Sequence, residues 1–142
     1  MTKRDAVTQL EVAFLFDVDG TIGGLYRDGH RPLRPGTVEA MERLAGFGPV
    51  FVWSIVDGNA SRLLEEYPEL RRFVTGAASK DAFWDCYTVD HAFAVDDLDL
   101  DEPVRRCHIV LVSEYSGGDG DDGQLRSAVD WIVEQVGILT RS

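Results

Sequence analysis

The chain has 142 residues, 44% of them hydrophobic and 27% charged, which excludes a disordered tail or a fibrous repeat. At this length a domain buries roughly 68–70% of its unfolded surface, so one self-sufficient core over residues 1–142 is expected, with residues 1–10 as a peripheral N-terminal segment. Fourteen basic against 25 acidic residues give a net charge of −11, a field that repels nucleic-acid backbones and anionic membrane surfaces.

Small anionic substrates stay open to such a chain, because a bound cation can reverse the local potential. The longest apolar run, Val12–Phe16, is far short of the ~20 residues that cross a bilayer. Met1-Thr2-Lys3-Arg4-Asp5 leads into no secretory apolar region, so a cytoplasmic location is expected. Cys86 and Cys107 lack the spacing of a zinc site and are read as small reduced core residues.

In chain order, Val12–Phe16 reads as a buried strand that stops at acidic residues and glycine. Gly20–Gly36, rich in Gly, Pro and Arg, reads as a loop or small hairpin. Thr37–Phe47 carries Val38, Met41, Leu44 and Ala45 on one helical face. Pro49–Ser54 is a second strand, and Asn59–Glu66 a helix capped by Asn59 or Ser61 and ended by Pro68. Phe73–Ala77 is a short third strand, followed by a helix over Ser79–Cys86 capped by Ser79. His91–Val95 and His108–Ser113 complete the strands, and Gln124–Val136 is the last helix. About five apolar strands alternating with helices predict an α/β fold, a doubly wound, Rossmann-like parallel sheet with helices on both faces.

Ligands of such sheets gather beyond the carboxyl ends of the strands, so the residues there are the informative ones. The first strand runs into Asp17-Val18-Asp19-Gly20-Thr21, the second ends at Ser54 ahead of Asp57-Gly58-Asn59, and the fourth ends at Asp96-Asp97. One Asp pair after a strand is more often a turn former or helix cap. Two pairs ending two strands repel each other unless a cation compensates, which argues for a shared site. Only two of the 14 basic residues are lysines, Lys3 in the N-terminal tail and Lys80 at a helix start. A chain that otherwise uses arginine singles out Lys80. These ends together compose a cation site facing an anion site.

The run FLFDVDGT resembles the first motif of the haloacid dehalogenase-like hydrolase superfamily. Ser54, Lys80 and Asp96-Asp97 resemble its second, third and fourth motifs, in the same order, over most of Val12–Ser113. The resemblance implies a Mg²⁺-dependent phosphatase in which Asp17 attacks phosphorus and forms an aspartyl-phosphate. Asp19 would serve as general acid and then base. It implies Mg²⁺ held by Asp17, the Asp19 backbone carbonyl and Asp97, with Asp96 acting directly or through water, and Ser54, Lys80, Gly20 and Thr21 at the phosphate. Members that cleave carbon–halogen bonds lack the second aspartate, so Asp19 implies phosphate ester hydrolysis. The stretches Asp17–Ser54 and Lys80–Asp96 are too short for a folded cap. Similar capless members take bulky phosphorylated substrates or are closed by another subunit, so a homo-oligomer is possible.

Two other functions fit parts of the pattern. A binding module that keeps the phosphate and metal site without catalysis would carry the same residues. A phospho-receiver domain would place its acid pair after the first strand and its acceptor Asp after the third, which this chain does not do. Arg27, Arg31 and Arg34 lie near the first motif and are candidates to recruit an anion, and Arg31 and Arg34 are expected to tune substrate binding more than turnover. Asp97–Glu102 reads as a solvated acidic loop or an added metal contact, and Gly117–Gly123 as a flexible rim loop. His30, His91 and His108 have no metal spacing and are read as structural. Trp53, Trp84 and Trp131 are read as core or subunit-contact residues.

Overall fold

A computed structural model of the chain describes residues 7–98 and 107–140. Five strands form one all-parallel sheet, β1 (Thr8–Asp17), β2 (Val50–Ser54), β3 (Val74–Ser79), β4 (Tyr87–Asp96) and β5 (His108–Leu111), in the order β3-β2-β1-β4-β5. Four α-helices join or follow them: α1 (Thr37–Ala45), α2 (Asn59–Glu66), α3 (Lys80–Cys86) and α4 (Gln124–Leu139). The expected α/β class and five-stranded parallel sheet are present, and the strand order is consistent with a Rossmann-like fold.

Period-two alternation makes the sheet two-faced. Val12, Phe14 and Phe16 of β1 point to one side, where Met41, Leu44, Leu63, Val129 and Ile132 from α1, α2 and α4 close over them. Ala13 and Leu15 point to the other, into an aromatic cluster of Phe51, Trp53 and Phe83. There Trp53 and Phe83 meet edge to face with centroids 5.6 Å apart. Burial on both faces is why β1 reads as an unbroken apolar run.

Element ends differ from expectation where pairing or backbone geometry overrules pattern. β1 starts at Thr8, because Thr8–Leu10 pair with Tyr87–Val89 of β4. The expected peripheral segment therefore contributes to the sheet from residue 8 on, and residues 1–6 lie outside the described part. β4 begins at Tyr87 rather than His91 for the same reason. α2 is not capped by Asn59 or Ser61: its N-cap is Gly58, at φ +85°, a torsion that glycine adopts without strain. Ser79 caps α3 as expected, accepting a hydrogen bond from the Ala82 N–H at 3.1 Å. Pro68 ends α2 and opens a 3₁₀ turn, Pro68–Arg72.

The chain builds β1, β2 and β3 outward in one direction and then returns to place β4 on the other side of β1. The crevice of such a sheet lies at that reversal, between the carboxyl ends of β1 and β4. Asp17 ends β1 and Asp96 ends β4. No described helix is long and apolar enough to cross a membrane.

Candidate active site

Strand register assembles the site. Phe16 pairs with Val95, which sets Asp17 beside Asp96, and Ser54 pairs with Ser79, which sets the start of α3 beside the end of β2. Asp17 (7% exposed), Asp96 (1%) and Lys80 (3%) are all buried. The Lys80 ammonium lies 3.1 Å from Asp17 Oδ1 and 2.8 Å from Asp96 Oδ2, above the Trp53 ring. Asp17, Asp96 and Asp97 each present a carboxylate oxygen within 4.8 Å of the others.

One ammonium thus pairs with two buried carboxylates, and a third, partly buried one at Asp97 lies within 4.8 Å of both. Burial, and then the charge of Asp96, push the Asp17 carboxyl up to about 7, against the opposing pull of Lys80 and Thr21. Burial likewise raises Asp96, with Lys80 opposing it. For Lys80 burial works downward, but the charges of Asp17 and Asp96 and their hydrogen bonds outweigh it and hold the ammonium above its usual range. Surplus negative charge among oxygen donors is what a hard divalent cation such as Mg²⁺ takes, so the residues fit that ion.

This imbalance makes metal binding and pH visible in stability. The Asp17 carboxyl sits near 7 in the fold against 3.8 ordinarily, so the fold retains a proton that the unfolded chain has released. Its contribution to stability falls as pH rises through that interval. Millimolar Mg²⁺ is therefore expected to raise Tm at about pH 8, by about 4 °C per kcal/mol of linked binding, and much less at about pH 5. Differential scanning fluorimetry with and without Mg²⁺ checks it; no Tm change at either pH contradicts a cation site here.

The turn after β1 is shaped around the carboxylates. Gly20 takes φ +77°, and a Cβ there would lie 2.5 Å from Asp97 Oδ2, so only glycine lets that carboxylate approach. The Gly20 N–H donates to the Gly23 carbonyl and the Thr21 N–H to the Val18 carbonyl. The Thr21 hydroxyl is 3.0 Å from Asp17 Oδ2 and 3.2 Å from Asp97 Oδ1. Gly20 and Thr21, expected at the phosphate, also accept through their carbonyls from the Tyr115 N–H and from Arg34.

Asp19 points elsewhere. Its side chain is 54% exposed, with Oδ1 2.6 Å from Arg31 Nη1 and Oδ2 2.9 Å from Asn59 Nδ2. Its carboxylate is not in the acidic trio that could hold a metal. Asn59 Nδ2 also lies 3.4 Å from Ser54 Oγ, which accepts from the Val56 N–H at 3.2 Å. A hydroxyl that accepts from both keeps its own proton for a further acceptor. Asn59, expected as a cap, instead ties Ser54 to Asp19.

The expectation that Arg31 and Arg34 recruit an anion is overturned. Arg34 is 2% exposed and bonds Asp122 Oδ2 at 2.8 Å and the Thr21 and Ser113 carbonyls, anchoring the loop before α4 to the turn after β1. Arg31 is 6% exposed and committed to Asp19. Their charges are spent inside the protein, because a buried guanidinium needs a carboxylate partner. His30 pairs with Glu66, and His108 stacks on Phe93 with centroids 4.8 Å apart. Trp53 is buried, whereas Trp131 is 45% exposed. The loops around the crevice expose Leu25, Tyr26, Ile55, Val56 and Leu98. Of the acidic run Asp97–Glu102, residues 99–102 lie outside the described part.

Fold and site together define a parallel α/β protein with an acidic cluster and a buried lysine at its switch point. No family model matches the chain, and no curated protein matches it.

Proposed function

We propose that the protein is a Mg²⁺-dependent phosphohydrolase of the haloacid dehalogenase-like type, without a cap domain, acting on phosphate monoesters through an aspartyl-phosphate at Asp17. The observation that carries this is the buried Lys80 ammonium held between Asp17 and Asp96, with Asp97 within metal-ligand reach of both. A structural ion pair needs one carboxylate; two on one lysine, with a third carboxylate beside them, suit a site that also takes a cation and a phosphoryl group. The absence of an inserted cap is supported by the elements between the motifs, since only a hairpin loop and α1 separate Asp17 from β2, and α3 and β4 separate Lys80 from Asp96.

Asp17 attacks phosphorus with a carboxylate oxygen, the bond to the leaving oxygen breaks, and Asp19 supplies that oxygen with a proton. Asp19 then takes a proton from water, the water oxygen attacks phosphorus, and the bond to Asp17 breaks to release phosphate. Ser54 donates its hydroxyl proton to a phosphoryl oxygen, and Lys80 offsets charge on Asp17 and the phosphoryl group. Asp17, Asp96 and Asp97 would hold Mg²⁺, with the Asp19 carbonyl as the fourth protein ligand the family resemblance implies. The ion would supply charge neutralisation at the phosphoryl oxygens. The apolar rim and the net charge of −11 favour esters whose leaving group is not itself polyanionic.

Hydrolysis of p-nitrophenyl phosphate tests the proposal. Wild-type protein is expected to hydrolyse it only with Mg²⁺, and Asp17→Asn to lose at least ~10³-fold in kcat. Equal rates in wild type and variant would leave the non-catalytic binding module as the better account.

A further inference from the structure

Resting on the phosphohydrolase proposal, we infer that Arg31, assisted by Asn59, is a positioning residue that holds the Asp19 carboxylate where it meets the leaving oxygen. Asp19 is the most exposed acidic group at the crevice for which a chemical role is proposed, and a free aspartate there would sample several rotamers. Instead each of its oxygens has its own donor from a different part of the fold. Arg31 Nη1 reaches Oδ1 from the hairpin at 2.6 Å, and Asn59 Nδ2 reaches Oδ2 from the first turn of α2 at 2.9 Å.

The arginine is itself fixed. Its side chain is 8% exposed against 54% for the aspartate it serves, and its guanidinium carbon lies 4.5 Å from the centre of the Tyr26 ring. Its backbone N–H donates to Glu66 Oε2 at 3.0 Å, and its carbonyl accepts from the Tyr67 hydroxyl, so the end of α2 clamps the hairpin. Gly23 leaves room for it: a Cβ at that position would lie 2.7 Å from Arg31 Cδ. Burying and fixing an arginine to steady a half-exposed carboxylate contributes little to stability. The arrangement makes sense if the carboxylate's position matters. A carboxylate has about four lone-pair sites, so two held donors still leave it free to exchange a proton with a substrate.

The role predicts a dependence on the leaving group. An alkyl phosphate needs its leaving oxygen protonated, whereas p-nitrophenolate departs without a proton. The first-turnover rate, measured by rapid quench for an alkyl phosphate and as the p-nitrophenolate burst for the aryl ester, isolates the step in which this matters. Arg31→Met is expected to slow the alkyl ester by ~10²-fold or more and the aryl ester by less than about 5-fold. Arg31→Lys, which keeps a charge, is expected to restore part of the difference. Asn59→Ala, at a half-exposed position, is expected to shift the same ratio by a smaller factor, and so reports even if Arg31→Met does not fold. An equal loss on both esters, or none on either, overturns the positioning role while leaving the phosphohydrolase proposal intact. No Mg²⁺-dependent hydrolysis by wild-type protein overturns both.

Discussion

Lys80→Met is expected to destabilise the protein by about 3–5 kcal/mol near pH 8 and to lower turnover by ~10³-fold. The two side chains are similar in length, so packing against Trp53 is largely kept and the loss is one of charge. The ammonium, 3.1 Å from Asp17 and 2.8 Å from Asp96, is the cation that permits two carboxylates to sit at 7% and 1% exposure. Without it they repel each other in a medium that solvates neither. Acidification should repair the fold, because protonating Asp17 and Asp96 removes the repulsion. Chemical denaturation at about pH 8 and about pH 5 checks this. A stability change within ~0.5 kcal/mol at both, as for a solvated surface lysine, contradicts the assigned environment.

Asp17→Asn is expected to do the opposite to stability while abolishing activity. The Asp17 carboxyl is pushed up to about 7, first by burial and then by Asp96. The charged form is therefore disfavoured in the fold even with Lys80 alongside, by at most roughly 4 kcal/mol. An amide of the same shape removes that cost, keeps a partner for Thr21, and leaves Lys80 paired with Asp96. The variant should melt above wild type at about pH 8 in the absence of Mg²⁺. The advantage should shrink as pH falls from about 7 and disappear below 3.8, where the wild-type carboxyl is protonated in both folded and unfolded chains. Stability gained by losing a functional carboxylate is the usual signature of a site held under electrostatic strain. A lower Tm for the variant at about pH 8 would mean that Asp17 serves the fold rather than chemistry.

Much of this was legible from residue pattern. The unbroken runs VAFLF and PVFVWS have no reason to exist outside a sheet covered on both faces, and both are central strands. Asp17, Ser54 and Asp96, which close β1, β2 and β4, are where chemistry gathers because strands of one direction end on one edge. Lys80 stood out because a chain rich in arginine keeps so few lysines. Long-range pairing was not legible. Nothing in Arg31 or Arg34 distinguishes a solvent-facing cation from one buried on Asp19 or Asp122, since the partner is chosen by how the hairpin folds back. Asn59 looked like a cap because its type favours that position, yet Gly58 takes the left-handed torsion and frees the amide for Asp19 and Ser54. Thr8–Leu10 lack apolar alternation, and only their register against β4 extends the strand.

The proposed aspartyl-phosphate at Asp17 is open to direct detection. Acid-quenching wild-type protein during turnover of p-nitrophenyl phosphate with Mg²⁺, followed by digestion and mass spectrometry, reads it directly. The peptide containing Asp17 is predicted to gain one phosphoryl group, located on Asp17, and the corresponding peptide of Asp17→Asn to gain none. A phosphoryl group on any other residue, or none in protein that shows a p-nitrophenolate burst, would contradict the account.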